Sequence, residues 1–597
     1  MVMDSQILLM LSILAVTIVL LAFEVFRIDI IAILCMLTLG WLGMVKPMEA
    51  ISGFSSNAVI SMMAVMIMGQ GLAKTGVLDK FSRSLLRIAG NDKPKLIGLA
   101  CASVGFLSAF IQNAGAAALF LPTVLNISKR SRIPASELIM PIGFAAILGG
   151  SLTMVGSSPL LLLNDLLLEA DLEPYGLFSI TPVGIVLLGV GIGFFLLFGN
   201  MLPRTEPKDD ELSEQKRLID SWHLPFTIWH YAIPEGSPLI GKTPEQAGVW
   251  DHYTLNILGI SKGKTIEYAP WRETVFSIWQ ELAILGDKED IQRFASENNL
   301  VFKEKLDEFE QLNDPFSAGF AEVVIPPRSS LVGRTLRQFG LRKRFSVEPV
   351  MFFSKGEELR GNFSDREIFP GDTIIIHGLW ENILLLKKNT DVVVATPFEF
   401  ERKELSKSWV AVLCFMTAIG LTLAGFPISI SFLSGALVMV MTGVLRIDEA
   451  YQAIEWKVIF LIAGLIPLGA AMQKTGTAAF LATEIMGIIQ ETQPILMLSV
   501  IAIMSSAFSL VMSNVASTIV LAPLVIGMAQ IGGLDPRPLV LLVAVCANNS
   551  FILPTNQVNA MLMTPGGYRN SDYIKAGGGL TVLFLVVAVV MFSCFYL

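Results

Sequence analysis

Hydrophobic positions in this chain form long blocks instead of a fine alternation. Uncharged apolar runs lie near 6–23, 28–45, 57–73, 98–128, 138–168 and 178–202, and again near 408–424, 428–445, 458–473, 494–534, 538–563 and 576–597. At 1.5 Å of rise per residue, a helix of roughly 20 apolar residues crosses about 30 Å of hydrocarbon, and most of these runs approach that length. Between the two sets, Arg204–Lys407 carries the charges and breaks into short stretches of alternating polar and apolar residues, the period of half-buried strands. The pattern predicts an α-helical polytopic membrane protein with a water-soluble insert. The first run, Ile7–Phe23, has no basic flank and no small-residue cleavage site, so it is assigned as a membrane helix and not a signal peptide.

The two apolar sets superpose at an offset close to 400. Gly43–Ala50 falls on Gly443–Ala450, and Lys74-Thr75-Gly76 on Lys474-Thr475-Gly476. Ser108-Ala109-Phe110 resembles Ser506-Ala507-Phe508, and Asn113 with Pro122 matches Asn514 with Pro523 at equal spacing. Several matches in the same order predict a duplication. In each half the fourth run is too long for one span and is interrupted by polar residues, at Gln112-Asn113-Ala114-Gly115 and at Ser513-Asn514. Each arm of the first has about 15 residues, or roughly 22 Å of helix, too short to cross alone. Re-entrant hairpins about 98–128 and 494–530, with the asparagines at their tips, are expected.

Five crossing helices plus a hairpin per half is an odd number of crossings, which predicts two inverted repeats. With the N-terminus outside, the loops holding Lys74, Lys80, Arg83, Arg87, Lys93 and Lys95, and then Lys129, Arg130 and Arg132, become cytoplasmic, as basic loops should be. The insert is then cytoplasmic, and the C-terminus and the loops at 474–493 and 530–537 are external. The insert itself repeats: Ile233–Thr243 recurs as Ile325–Thr335, and Leu282–Gly286 as Ile374–Gly378. Each copy reads as strand, glycine turn, short helix capped by Thr243 or Thr335, then strands. The predicted domains are membrane repeat 1 (1–204), two small α+β domains (205–312 and 313–405), and membrane repeat 2 (406–597).

Only 16% of residues are charged, and the net charge is −8, with no basic stripe; nucleic acid is excluded as a partner. Cys35, Cys101, Cys414, Cys546 and Cys594 sit in apolar runs and read as buried thiols. His223, His230, His252 and His377 lie in the insert without ligand spacing, so no metal centre is expected.

Backbone polar groups inside a bilayer are tolerated only where they line a cavity or are buried in protein. Besides the hairpin tips, two helices are interrupted, at Gly156-Ser157-Ser158-Pro159 and at Pro554–Asn559. Half-helix N-termini present free N–H groups to an anion, and half-helix C-termini with side-chain oxygens suit Na+. No Lys or Arg lies within these motifs, so a bound anion needs amides, hydroxyls and a co-bound cation. The alternative is that such residues serve helix packing and interhelical hydrogen bonds. Asp165, beside Asn164 near the end of its run, reads either as part of a coupling path or as a capping group at the surface.

Taken together, Ser108–Asn113 through Leu121-Pro122, Met140–Gly156, and Phe551–Asn559 leading to Pro565–Tyr568 resemble the divalent anion:sodium symporter (DASS) family. The subgroup is the one with two RCK-C (TrkA-C) domains inserted between the membrane halves. The family's tip signature, Ser-Asn-Thr, stands here as Gln112-Asn113-Ala114 and Ser513-Asn514-Val515, and its second break departs to Ser157-Ser158-Pro159-Leu160. The resemblance implies a substrate set of Asn113, Ser157, Ser158, Asn514, Thr555, Asn556 and Asn559. It implies that Na+, as coupling ion, meets Gln112, Asn113 and Gly156 in one half and Ser513, Asn514 and Thr555 in the other. It also implies a homodimer working as an elevator in a bacterial inner membrane.

These readings lead to Na+-coupled symport of a divalent anion, with sulfate first and dicarboxylate or sulfonate next. The RCK-C domains are either sensors of a small ligand or a dimerisation platform. Proton coupling is the rival, and needs a titrating carboxylate near the midplane. A ligand-gated channel lacks the Thr-Val-Gly-Tyr-Gly type of filter, and the membrane runs hold no His and no Ser-His-acid set for an enzyme.

Overall fold

The computed structural model describes residues 5–23, 25–77, 92–131, 133–199, 214–225, 227–262, 265–303, 309–313, 317–396, 405–489 and 494–596. The basic residues Lys80, Arg83, Arg87 and Arg132 fall outside these ranges. The chain divides into two compact units, Met1–Lys208 with Lys403–Leu597, and Asp209–Arg402.

The first unit is helical. Its first part runs α1 (Ser5–Ala22), α2 (Ile28–Trp41), α3 (Pro47–Ile51), α4 (Asn57–Lys74), α5 (Lys93–Ser108), α6 (Asn113–Ser131), α7 (Ser136–Gly149), α8 (Ser158–Glu169) and α9 (Thr181–Phe198). The later part runs α10 (Ser408–Leu423), α11 (Ile428–Met441), α12 (Ile447–Gln452), α13 (Trp456–Lys474), α14 (Thr477–Ile489), α15 (Pro494–Val511), α16 (Asn514–Gly532), α17 (Pro536–Ala547), α18 (Gln557–Gly566) and α19 (Asn570–Phe595). Among the described residues, seven helices are long and apolar enough to cross a membrane. The chain is a multi-pass membrane protein by that measure.

The helices interlock across the two parts. α2 packs along α13, and α11 along α4. The approach is close: a Cβ added to Gly53 would lie 2.1 Å from the Ala463 carbonyl oxygen, and one on Gly464 would lie 2.7 Å from the Ala32 backbone. Two ion pairs are exchanged in the same way, Lys74 Nζ to Glu449 at 2.5 Å and Lys474 Nζ to Glu49 at 2.6 Å. Such part-exposed pairs add little stability each. Their value here is geometric, because a residue and its counterpart 400 positions on make the same bond with partners exchanged.

Three sequence readings need adjustment. The arms flanking Asn113 have 16 and 19 residues, and those flanking Asn514 have 18 and 19, because the helices continue past the apolar run into polar ends such as Lys93. At about 24–28 Å they nearly span the hydrocarbon. The stretch 474–493, read as a loop, contains α14, whose 13 residues are apolar enough to pack but too few to cross. Cys594 is exposed, on the last helix, whereas the other four cysteines are buried or nearly so.

The second unit holds two antiparallel sheets of five strands each. The first comprises β1 (Ile228–Ala232), β2 (Asn256–Lys262), β3 (Thr265–Tyr268), β4 (Glu281–Leu285) and β5 (Val301–Phe302) in the order β3-β2-β4-β1-β5. The second comprises β6 (Ala318–Val324), β7 (Glu348–Ser354), β8 (Glu357–Leu359), β9 (Thr373–Leu379) and β10 (Val393–Val394), in the equivalent order β8-β7-β9-β6-β10. Loop hydrogen bonds repeat too: Ile233 N–H to Gln280 O and Ile325 N–H to Asp372 O are both 2.9 Å. Leu258, Ala283 and Leu285 of one sheet share a core with Val350, Met351 and Ile375 of the other. Thr335 caps a short helix as expected, its hydroxyl accepting from Gln338 N–H. Thr243 makes the matching bonds with Gln246, but only turns follow, and Gly248 at φ +65° ends the segment.

Two outcomes follow. Gly53→Val should lower the thermal midpoint of the purified protein, since overpacking costs about 1–3 kcal/mol, while Gly98→Ala, which meets nothing within 4 Å, should not. Burial pushes the imidazole of His377 down to about 4. The unfolded chain then takes up the proton first, so stability is complete above pH 6.5 and is lost as the pH falls toward 4, by about 2 kcal/mol between pH 7 and 5. Calorimetric unfolding at both pH values should show that dependence, flattened in His377→Leu.

Candidate functional site

The polar turns begin at the ends of helices. Between α5 and α6 the chain reverses over Ala109–Gln112, and Asn113 opens α6. Ser108 Oγ lies 2.8 Å from Asn113 Oδ1 and 2.7 Å from Ala146 O, so one hydroxyl proton ties the tip amide to the end of α7. The second turn repeats this. Ser509 Oγ lies 2.9 Å from Asn514 Oδ1 and 2.5 Å from Ala547 O, at the end of α17. Ser513 caps α16 by accepting from Ala516 N–H at 3.2 Å.

The helix breaks sit directly against these tips. After α7 the chain is irregular to Ser157, the N-cap residue of α8. The position that a Cβ on Gly156 would take lies 2.7 Å from Gly150 O and 3.0 Å from both Ser108 O and Ala109 O. Three carbonyl oxygens thus crowd this position, where a side chain would strike them and only glycine fits. Gly150 in turn lies against the amide of Asn113. In the other break, Asn556 caps α18 through Val558 N–H at 2.9 Å and donates to Ser550 Oγ at 2.8 Å. Asn549 donates to Ser506 Oγ at 3.1 Å and accepts from Thr581 Oγ1 at 3.0 Å.

One bond joins the two breaks: Asn548 Nδ2 donates to Ser157 Oγ at 3.0 Å, both residues being buried. A continuous polar path results, from Asn113 through Gly150, Gly156, Ser157, Asn548 and Ala547 to Ser509 and Asn514. Along it begin α6, α8, α16 and α18, whose first-turn N–H groups have no intrahelical partner. The side chains on the path are amides and hydroxyls, without a Lys or Arg. Helix N-termini of this kind are chemically suited to an anion, and carbonyl and amide oxygens to a cation.

Of the residues singled out from sequence, Gln112, Asn113, Ser513 and Asn514 are half-buried at the tips, and Gly156 and Ser157 are buried on the path. Ser158 is half-buried with its hydroxyl 3.9 Å from Met62 Sδ. Asn556 is engaged as a cap, and Thr555 beside it is exposed. Asn559 is buried and turned inward, its Nδ2 on Ser550 O at 2.8 Å and its carbonyl accepting from Tyr573 OH at 2.9 Å. Sequence reasoning missed Ser108, Ser509, Asn548 and Asn549. A serine five residues before each tip asparagine was the available signal. The partner of Ser108 is Ser509 and not Ser506, because holding the tip amide requires that spacing, and no linear match reveals it.

Asp165 takes a capping role, but buried and not at the surface. Its Oδ2 accepts from Ala58 N–H at 2.7 Å, placing a carboxylate at the N-terminus of α4. Its neighbour Asn164 clamps the backbone of Tyr175 through two bonds, of 2.8 and 2.9 Å.

Comparison with known proteins gives a consistent picture. The family described as CitMHS, citrate transporter, matches residues 18–546. The chain is 30% identical to the uncharacterized transporter YfbS of Escherichia coli strain K12 over 99% of each sequence. It is 30% identical to the uncharacterized transporter sll0640 of Synechocystis over 99% of this chain and 98% of that one. Sodium/sulfate cotransporter 2 of Chlamydomonas reinhardtii is 22% identical, over 61% of this chain and 40% of that protein.

A double-mutant cycle should detect the bond between the breaks. Ser157→Ala and Asn548→Ala each lower the thermal midpoint, and the double variant falls short of additivity by about 1 kcal/mol. Simple additivity would mean that the two side chains are not bonded.

Proposed function

The chain belongs to the citrate transporter family, and from that premise we propose that it is a secondary active transporter carrying Na+ and a divalent anion inward together. The two relatives that match along nearly their whole length are named as transporters and not as enzymes. The observation that carries the finer reading is the path of amides, hydroxyls and helix N-termini joining Asn113 to Asn514, which holds no Lys or Arg. An anion there gains partial positive charge from N–H groups only, and a co-bound cation supplies the remainder. The carbonyls of Ser108, Ala109 and Gly150 around Gly156, together with Gln112 and Asn113, are the first Na+ environment; Ser513, Asn514 and Thr555 form the second.

Sodium is preferred to protons because Asp165, the carboxylate of the run that follows the first break, is committed to the N-terminus of α4, and Glu455, the carboxylate beside the second break, is engaged with the side chain of Gln557. Sulfate comes first as substrate, in line with the names of the Chlamydomonas relatives, followed by dicarboxylates and sulfonates. The exchanged packing of α2 with α13 and of α4 with α11 supports two inverted repeats, a fixed scaffold of these helices, and an elevator formed by the tips and breaks. The protein functions as a homodimer in the cell inner (cytoplasmic) membrane, with its N- and C-termini outside and the insert, a pair of RCK-C domains, in the cytoplasm.

Reconstituted in liposomes, the protein should take up labelled sulfate with an inward Na+ gradient and fall to background when K+ replaces Na+; equal uptake in both removes sodium coupling. Unlabelled citrate, succinate and a sulfonate in the same assay rank the substrates. Asn113→Ala and Asn514→Ala should each reduce uptake by roughly 10- to 150-fold, the loss of one hydrogen bond to a charged group, with unfolding midpoints close to wild type.

A further inference from the structure

The insert unit contains a cleft that the transport reading does not use. It is a small cleft open to solvent, and its walls come from both sheets' domains: Trp250, Trp271 and Arg272 from the first, Arg337, Arg342 and Ser364 from the second. Arginines crowd this seam, but two of them are neutralised. Arg342 makes a two-pronged pair with Glu348, at 2.6 and 2.9 Å, while stacking 4.6 Å from the Trp250 ring centre. Arg337 pairs with Asp365 at 2.6 Å and with Glu245 at 3.5 Å.

Two further cations have no ion-pair partner among the described residues. Arg272 and Lys343 converge on one indole, that of Trp271, with the guanidinium 5.9 Å and the ammonium 4.3 Å from its centre. Among the described residues neither has a carboxylate within ion-pair distance, and Arg272 Nη1 is buried without a hydrogen-bond partner. A buried guanidinium N–H without an acceptor is costly, and two like charges against one ring repel. Attraction to the indole offsets only about 0.5–2 kcal/mol of this. A group accepting from both cations would remove both costs.

We propose that the edge of this cleft at Trp271 is a binding site for a tetrahedral oxyanion, held by Arg272 of the cleft wall and by Lys343 of the other domain, which does not line the cleft but meets the same indole. Planar guanidinium and mobile ammonium are the two donors suited to such an anion, one directional and one a point charge. Because its two holders come from different domains of the insert, the anion ties those domains together. Free phosphate or sulfate and the phosphate of a nucleotide share this chemistry, the nucleotide adding a base to stack on the tryptophans.

Equilibrium dialysis of the full-length protein in detergent tests the site. The protein carries Asn514→Ala so that the membrane site does not contribute, and the probes are labelled inorganic phosphate, sulfate and AMP. One anion per chain is expected, with affinity reduced tenfold or more in Arg272→Gln and in Lys343→Gln, and largely restored in Lys343→Arg. Lys343 is exposed, so its substitution leaves the fold intact and keeps the test decisive if Arg272→Gln unfolds. Tighter binding of AMP than of phosphate assigns the anion to a nucleotide, and equal binding assigns it to the free ion. Unchanged affinity in Lys343→Gln, or no binding of any of the three at millimolar concentration, overturns the proposal.

Discussion

A backbone N–H or C=O inside hydrocarbon must find a partner within the protein, and the membrane unit is organised around that requirement. Four of its helices start in mid-unit, at Asn113, Ser158, Asn514 and Gln557, and each start exposes donors that a continuous helix would have satisfied. The side chains that answer are small and polar. Ser108 and Ser509 hold the tip amides, Ser513 and Asn556 cap their helices, and Asn548 reaches Ser157 across the two parts of the chain. Every polar residue on that path therefore has a structural duty before it has a functional one.

That double duty bears on which residues meet a solute. Asn559 and Asn549 spend their amides inside one break, whereas Asn113 and Asn514 use one face of the amide on a serine and remain half-buried. Glycine enters for a different reason. At Gly156 a side chain would occupy the point that three carbonyl oxygens face, and at Gly53 it would strike the neighbouring helix. Close backbone packing is thus obtained at both places with the same residue.

The insert obeys the opposite solvent rules. Its two sheets bury a shared apolar face, and its charges meet at the outer seam, where aromatic rings order them. The membrane unit keeps full charges off its polar path, whereas the insert sets Glu245, Arg272, Arg337 and Arg342 around one cleft. The contrast follows from the cost of a lone charge in each medium.

Much of this was legible in the residue order alone. Block hydrophobicity established the membrane class, the offset of 400 paired Lys74 with Lys474 and Glu49 with Glu449, and the interrupted runs located both tips and both breaks. These are local or periodic signals, and helix length and helix ends are local properties. The tertiary structure alone decided which partner each polar residue takes: that Glu49 bonds Lys474 and not its own half's lysine, that Ser509 and not Ser506 answers Ser108, that Asp165 caps α4, and that Asn548 meets Ser157. The reason is physical. A buried polar group is paid for by whichever donor or acceptor the packing brings within about 3 Å, and separations of 107 and 391 residues carry no trace of that in the linear pattern.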